Sequence, residues 1–234
     1  MITGGDDATC RIWVIDHQAL AAAITDGFVK SSLVKECPGE TKCFIGHTLL
    51  GHVTPLCCVA ICTKLDIVVS GSQDGSICIH NIRSGKFVRS LHVDAATEEV
   101  RESCAGNGIP VDKLAIHTDG TFVAHLRDGS LHVISVNGQE LCSTKTGERL
   151  NAILVCPRSE TLIAGGESGD VKIWGLHDLA PRCTVDVRRH GAVTSLALTP
   201  DADDPQFLCI GSGNGLLSVL SRKNDGANAP SLFS

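Results

Sequence analysis

The feature that most constrains this chain is a pattern that recurs five times: small or apolar residues, a polar turn, then an apolar stretch. The segments are TGGDDATCRIW at 3–13, SGSQDGSICIH at 70–80, AHLRDGSLHVI at 124–134, AGGESGDVKIW at 164–174 and IGSGNGLLSVL at 210–220. Each reads as two strands joined by a tight turn, because Asp-Gly and Asn-Gly pairs reach positive φ cheaply and period-two alternation follows them. The aligned turn positions 7, 74, 128, 168 and 214 fall 67, 54, 40 and 46 residues apart. A unit of about 40–45 residues that cannot bury its apolar face alone must stack on copies of itself, so the two longer gaps read as insertions.

Further strands flank each hairpin. Upstream lie 56–61, 111–116, 150–155 and 193–198, and downstream comes 86–91. Four sequential strands per unit make the blade of a propeller. The sequence therefore predicts an all-β fold with less than about a tenth helix. It also predicts a partial propeller: about four blades plus a leading half-blade that starts in strand b at Ile2. The domain spans 1–221, with insertions at 17–41 and 94–108 and a flexible tail at 222–234. An Ala-rich stretch at 18–24 reads as a short helical turn inside the first insertion. With no strand a before Ile2 and no strand closing the last unit, both ends are expected to expose ladder groups and to favour self-association.

Composition narrows the function. A net charge of −6 argues against a phosphate-binding surface, and 3 % aromatic content leaves few stacking platforms for nucleic acid. Residues 1–7 are acidic and turn-like, unlike a secretory signal, and no apolar run reaches membrane-spanning length. The twelve cysteines show neither disulfide-framework nor zinc spacing, and read as small buried hydrophobes in a reducing compartment. No nucleophile elbow, phosphate loop or metalloprotease helix is present. His47 and His52 lack nearby ligands at metal spacing, so no catalytic, metal or cofactor site is expected.

The repeats resemble the WD-repeat family over nearly the whole chain. That resemblance assigns a Gly-His dipeptide, a turn Asp and a strand-c Trp to a hydrogen-bonded network in each blade. The second unit carries His52, Ser70 and Asp74 in those places, with His80 where Trp is usual; Asp7, Trp13, Asp128 and Trp174 match in other units. A closer resemblance, to the C-terminal propeller of neurobeachin-like BEACH proteins, rests on 65–80 and 83–91, on Gly129-Ser130-Leu131-His132-Val133 leading to Val136-Asn137-Gly138, and on 147–152. The His in place of Trp agrees with that subfamily.

The resemblance implies a non-catalytic interaction scaffold, cytoplasmic and peripheral at endomembranes. It would act in vesicle trafficking or lysosome-related processes, with other proteins as partners rather than nucleic acid or a small-molecule substrate. The exposed turns carry the candidate partner-binding residues Asp6, Gln73, Arg127 and Glu167, and the second insertion adds the acidic pair Glu98 and Glu99. A phosphoinositide-binding propeller would resemble a family with a Phe-Arg-Arg-Gly motif. Phe87-Val88-Arg89-Ser90 lacks its paired arginines. An adaptor of a ubiquitin ligase or signalling complex is the alternative reading, but 13–16 and 174–177 lack its Trp-Asp-x-Arg ending.

Overall fold

A computed structural model of the chain describes residues 1–15, 43–93, 108–156, 158–187, 191–199 and 207–221. Among these there are strands and turns and no helix. The stretches 17–41 and 94–107, the Ala-rich segment 18–24, the pair Glu98 and Glu99, and the tail 222–234 lie outside the described residues.

The strands form five antiparallel sheets in chain order. The first holds β1 (Ile2–Gly4), β2 (Cys10–Ile15) and β3 (Cys43–Leu49). The second holds β4 (Leu56–Cys62), β5 (Ile67–Ser72), β6 (Ser76–Asn81) and β7 (Phe87–His92). The third runs β8 (Val111–Ile116), β9 (Thr121–Leu126), β10 (Ser130–Ser135), β11 (Glu140–Lys145). The fourth runs β12 (Leu150–Cys156), β13 (Thr161–Gly166), β14 (Asp170–Gly175), β15 (Pro181–Asp186). The last is β16 (Val193–Leu198), β17 (Phe207–Ser212), β18 (Leu217–Ser221). Labelling strands a to d outward, the leading unit has b, c and d, the middle three are complete, and the last has a, b and c. No strand pairing joins the last sheet to the first among the described residues, so the five blades form an open arc.

The hydrophobic core lies between blades rather than within them. One cluster packs Val69, Ile77 and Ile79 of the second blade against Val111, Phe122, Leu126 and Ile134 of the third. A second joins Val123, Leu131 and Val133 to Leu150, Leu162 and Trp174 of the fourth, and a third joins Ile163, Val171 and Ile173 to Val193, Leu208 and Ile210 of the fifth. Strands b and c of the middle three blades are therefore covered on both faces, and β9 is buried at every position. The outer strands are solvated, as β7 shows. Burying the fully enclosed Phe122 side chain contributes on the order of 2–3 kcal/mol.

The turns between strands b and c follow the sequence rule with one refinement. Gly75, Gly129, Gly169 and Gly215 sit at φ between +78° and +82°, in the left-handed region that favours glycine. Ala8 takes the same place in the first blade at φ +59°. The acid before the glycine acts instead as a cap. Asp74 Oδ1 accepts the Ser76 amide at 2.9 Å, and Asp7 and Asp128 do the same for Thr9 at 3.1 Å and Ser130 at 2.9 Å.

Candidate functional site

The second blade contains the fullest polar network. His52, in the connection before β4, bonds Ser70 Oγ through Nε2 and Ser76 Oγ through Nδ1, both at 2.9 Å. Ser70 is on strand b and Ser76 begins strand c, so one imidazole ties the connection to both strands. Asp74 completes the set through the Ser76 amide. Burial pushes the Asp74 carboxyl up, but the Ser76 hydroxyl and amide, the Thr54 hydroxyl and the His52 charge outweigh it and hold the group below the usual carboxylate range. Burial pushes His52 down, against the pull of Asp74. His80 turns elsewhere: its Nε2 meets the Leu50 carbonyl at 2.9 Å, its Nδ1 has no partner, and its ring stands edge-on to Phe87 at 5.5 Å.

Removing the Asp74 carboxylate leaves the Ser76 amide without its acceptor, so Asp74→Ala is expected to cost about 1–3 kcal/mol. Asp74→Asn, which keeps an oxygen there, is expected to cost less, and the exposed Gln73→Ala to stay within about 0.5 kcal/mol. Urea midpoints check the order, and equal midpoints for Asp74→Ala and Gln73→Ala would remove the network. Because the folded carboxyl is depressed, its contribution is present above the unfolded pKa and disappears as pH falls through the folded value.

Other blades build the joint from different parts. In the first, Trp13 Nε1 donates to Thr3 Oγ1 at 2.8 Å, and Asp7 Oδ2 accepts Arg11 at 2.5 Å. In the third, Asp128 Oδ1 takes both the amide and, at 2.6 Å, the hydroxyl of Ser130, whose oxygen also meets His132 Nε2 at 3.1 Å. In the fourth, Trp174 is buried in the inter-blade core. There Ser168 stands where the turn acid is usual. The carboxylate comes from Glu148, in the preceding connection, which accepts the Ser168 amide at 2.9 Å and Lys172 Nζ at 2.6 Å. Burial raises the Glu148 carboxyl, while Lys172 and Ser168 together hold it below its ordinary value.

The b–c turns share a face with the connections between blades. The amides of Gln73, Arg127 and Gly213 donate to the carbonyls of Pro55, Pro110 and Ala192, at 3.1, 2.9 and 2.8 Å. Asp6, Gln73, Arg127 and Glu167 all lie in these turns with exposed side chains, one per blade across the first four blades. The backbones of Gln73 and Arg127 are pinned in this way while all four side chains face solvent.

One feature of this face escapes a reading by alternation. Strand a carries a β-bulge at the same place in all four blades that have one. Leu56 pairs Ser72 and Cys58 pairs Gly71, leaving Cys57 outside the ladder. The same shift isolates Asp112, Asn151 and Thr194. A bulge re-aims its residue. Cys57, Asp112 and Asn151 line a cavity of about 370 Å³ between the inner strands. Asp112, 5 % exposed, receives Arg127 on Oδ1 and Arg149 Nε on Oδ2 at 3.0 Å, so one carboxylate holds guanidinium groups from two blades. Close by, His125 is fully buried with neither ring nitrogen hydrogen-bonded. Burial pushes its pKa down to about 4. Of this set, the sequence reading reached only Arg127. Aligning the inner strands as LCCV, VDKL, LNAI and VTSL would have exposed Asp112 as the charged member of a recurring position.

Five stacked antiparallel sheets, capped b–c turns and histidine and tryptophan hydrogen bonds within the blades define a WD-repeat β-propeller. The description "Neurobeachin beta propeller domain" matches residues 1–227, and the chain belongs to that family. It is 28 % identical over 240 residues to BEACH domain-containing protein B of Arabidopsis thaliana, covering 99 % of this chain and 8 % of that protein. It is 26 % identical over 182 residues to BEACH domain-containing protein lvsE of Dictyostelium discoideum, covering 76 % of this chain and 7 % of that one. Cilia- and flagella-associated protein 52 of Chlamydomonas reinhardtii is likewise 26 % identical over 182 residues, with 76 % of this chain and 27 % of that protein covered. The chain thus spans less than a tenth of the length of these BEACH relatives. Among solved structures, the computationally designed Ika8 protein matches with TM-score 0.60 and 20 % identity over 93 % of this chain and 54 % of that one. The designed Ika4 protein matches with TM-score 0.56 and 22 % identity over 74 % and 94 %. These two likenesses show the fold alone.

Proposed function

We propose that this propeller is a non-catalytic protein-interaction scaffold serving a BEACH-type protein in vesicle trafficking or lysosome-related membrane processes. Its place would be cytoplasmic, at the surface of endomembranes. The observation that carries the reading is the turn face. Backbone bonds fix the b–c turns of several blades, while Asp6, Gln73, Arg127 and Glu167 present unlike side chains to solvent from that frame. Rigid presentation of varied polar groups suits recognition, because little side-chain and loop entropy is then lost on binding. Family membership supports the same conclusion. No helix among the described residues is long and apolar enough to cross a membrane, so recruitment through protein contacts or through other parts of a longer protein fits this role.

The test is partner capture in cells with the full chain as bait, compared with a Gln73→Ala, Glu167→Ala double variant and with Arg182→Gln. Arg182 is the second residue of the outer strand of the fourth blade, where, among the described residues, its ion-pair partner is Asp178 at 3.2 Å. Partners lost with the turn variant and kept with Arg182→Gln support the scaffold. Turnover in a broad hydrolase or transferase screen, abolished by one substitution, would overturn the non-catalytic reading.

A further inference from the structure

The inner-strand bulge of the third blade sets up an unusual charge arrangement. Asp112 Oδ1 accepts Arg127 Nε at 3.3 Å and Nη2 at 3.2 Å, and Oδ2 accepts Arg149 Nε at 3.0 Å. One buried negative charge therefore fixes two positive ones. The side chain of the adjacent Lys113 has no hydrogen-bond or ion-pair partner among the described residues, and with Arg127 and Arg149 it places three positive charges among Asp112 and the turn acids Asp74 and Asp128. Both guanidinium groups stay open, with side chains 51 % and 54 % exposed. Arg149 uses only its Nε on Asp112, which leaves both terminal nitrogens with their N–H donors. Arg127 retains Nη1. Forks already held in place by one carboxylate lose little rotamer freedom when they take a second.

Lys113 and Asp112, the carboxylate that holds both arginines, line the cavity of about 370 Å³, whose wall also includes Leu56, Cys57 and Ile153. Cys57, on that wall, feels the charges of Arg127, Asp112, Lys113 and Asp74, which places all four near the same mouth. A cleft of this size, with apolar side chains beside several convergent polar groups, has the general form of a binding site. Its surroundings decide what kind. Asp6 and Glu167 are exposed on the same face, Asp128 caps the turn that carries Arg127, and Asp74 caps the turn of the blade before it. A broad anionic surface such as a bilayer would meet those acids as well as the arginines. A single extended strand of polypeptide can bring one or two carboxylates to the cationic spot and avoid them.

We propose that the mouth of this channel docks an extended acidic segment of a partner protein, with Arg127 and Arg149 receiving a carboxylate and Lys113 a second. The proposal rests on the scaffold reading above and names the chemistry of the partner. It predicts that random dodecapeptides selected on the full chain are enriched in Asp and Glu. Synthetic versions should lose about tenfold or more in affinity with Arg149→Gln, and about three- to tenfold with Lys113→Gln. Arg182→Gln should leave binding unchanged. Lys113 makes no bond that folding depends on, so Lys113→Gln keeps the test alive if Arg149→Gln weakens the fold. Selected peptides with no acidic bias, or insensitive to both substitutions, overturn the acidic-segment proposal and leave the scaffold reading standing. Failure to select any peptide overturns the proposal, and the partner-capture experiment then decides the scaffold reading separately. Co-sedimentation with vesicles of phosphatidylcholine containing phosphatidylserine, if abolished by the same two substitutions, overturns it in favour of a lipid surface.

Discussion

Replacing Gly165 with valine is expected to destabilise the chain by about 3 kcal/mol or more, at the upper end of what overpacking does. Gly165 lies on β13, where a Cβ would stand 2.5 Å from Val193 Cγ1 and 2.7 Å from Val193 Cβ. Val193 is fully buried and heads the inner strand of the next blade. Neither side can yield easily. Gly165 is held in both its ladders, and Val193 is flanked by the bulge and bonded through its carbonyl to Asn151 Nδ2 at 2.9 Å. The same contact recurs two interfaces earlier, where a Cβ on Gly71 would meet Val111 Cγ1 at 2.8 Å. Combining Gly165→Val with Val193→Gly should recover part of the loss, a coupling visible in a double-mutant cycle by urea denaturation. Strict additivity of the two substitutions would mean that these side chains do not set the spacing of the blades.

His125 holds the equivalent position in the third blade, and it gives the second large effect. Stability is expected to fall by about 2–3 kcal/mol as pH drops from about 6.5 to about 4. The sign follows from burial. The folded imidazole titrates at about 4, whereas an unfolded one takes up its proton near 6.5, so acid favours the unfolded chain across that window. Burial is the largest influence; Asp112 and Asp128 oppose it, and Lys113 and Arg149 reinforce it. His52 is depressed as well and acts in the same direction. Below about 4 a further loss comes from carboxyls held low in the folded state, Asp119 at about 2 among them. His125→Phe exchanges an unpartnered imidazole for an apolar ring. It should flatten the curve between 6.5 and 4 while leaving the loss below 4 in place. Denaturation midpoints measured across pH decide it. Parallel curves for wild type and variant would show that His125 does not titrate as a buried group.

What the sequence made legible tracks how local each interaction is. The Asp and Gly of the turns at 74–75 and 128–129 cap and bend the backbone within two residues, so their pattern announces the hairpins directly. The fourth blade hides its equivalent. The acid serving Ser168 is Glu148, twenty residues upstream, and only the packing of a connection onto a turn brings them together. Arg127 stands out at a turn tip, but its meaning depends on Asp112 and on Arg149, 37 residues beyond that aspartate and in another blade. Strand c reads as alternating, yet β6 and β10 are covered on both faces, because each blade is sandwiched between two others and burial no longer follows the pleat. Ser70 and His52 were legible as a pair, whereas the turn of His80 toward Leu50 depends on side-chain direction, which spacing does not encode.

The inner-strand bulges bear on how such a domain diversifies. Positions 57, 112, 151 and 194 make no cross-strand pair, and they are occupied here by Cys, Asp, Asn and Thr. A substitution at 57, 112 or 151 changes the lining of the mouth, while the ladder pairs on either side carry the register of the blade. Selection on binding can therefore act at positions outside the ladder, although Asp112 and Asn151 also hold neighbouring groups in place. A lineage can revise this rim one blade at a time while the architecture around it stays fixed.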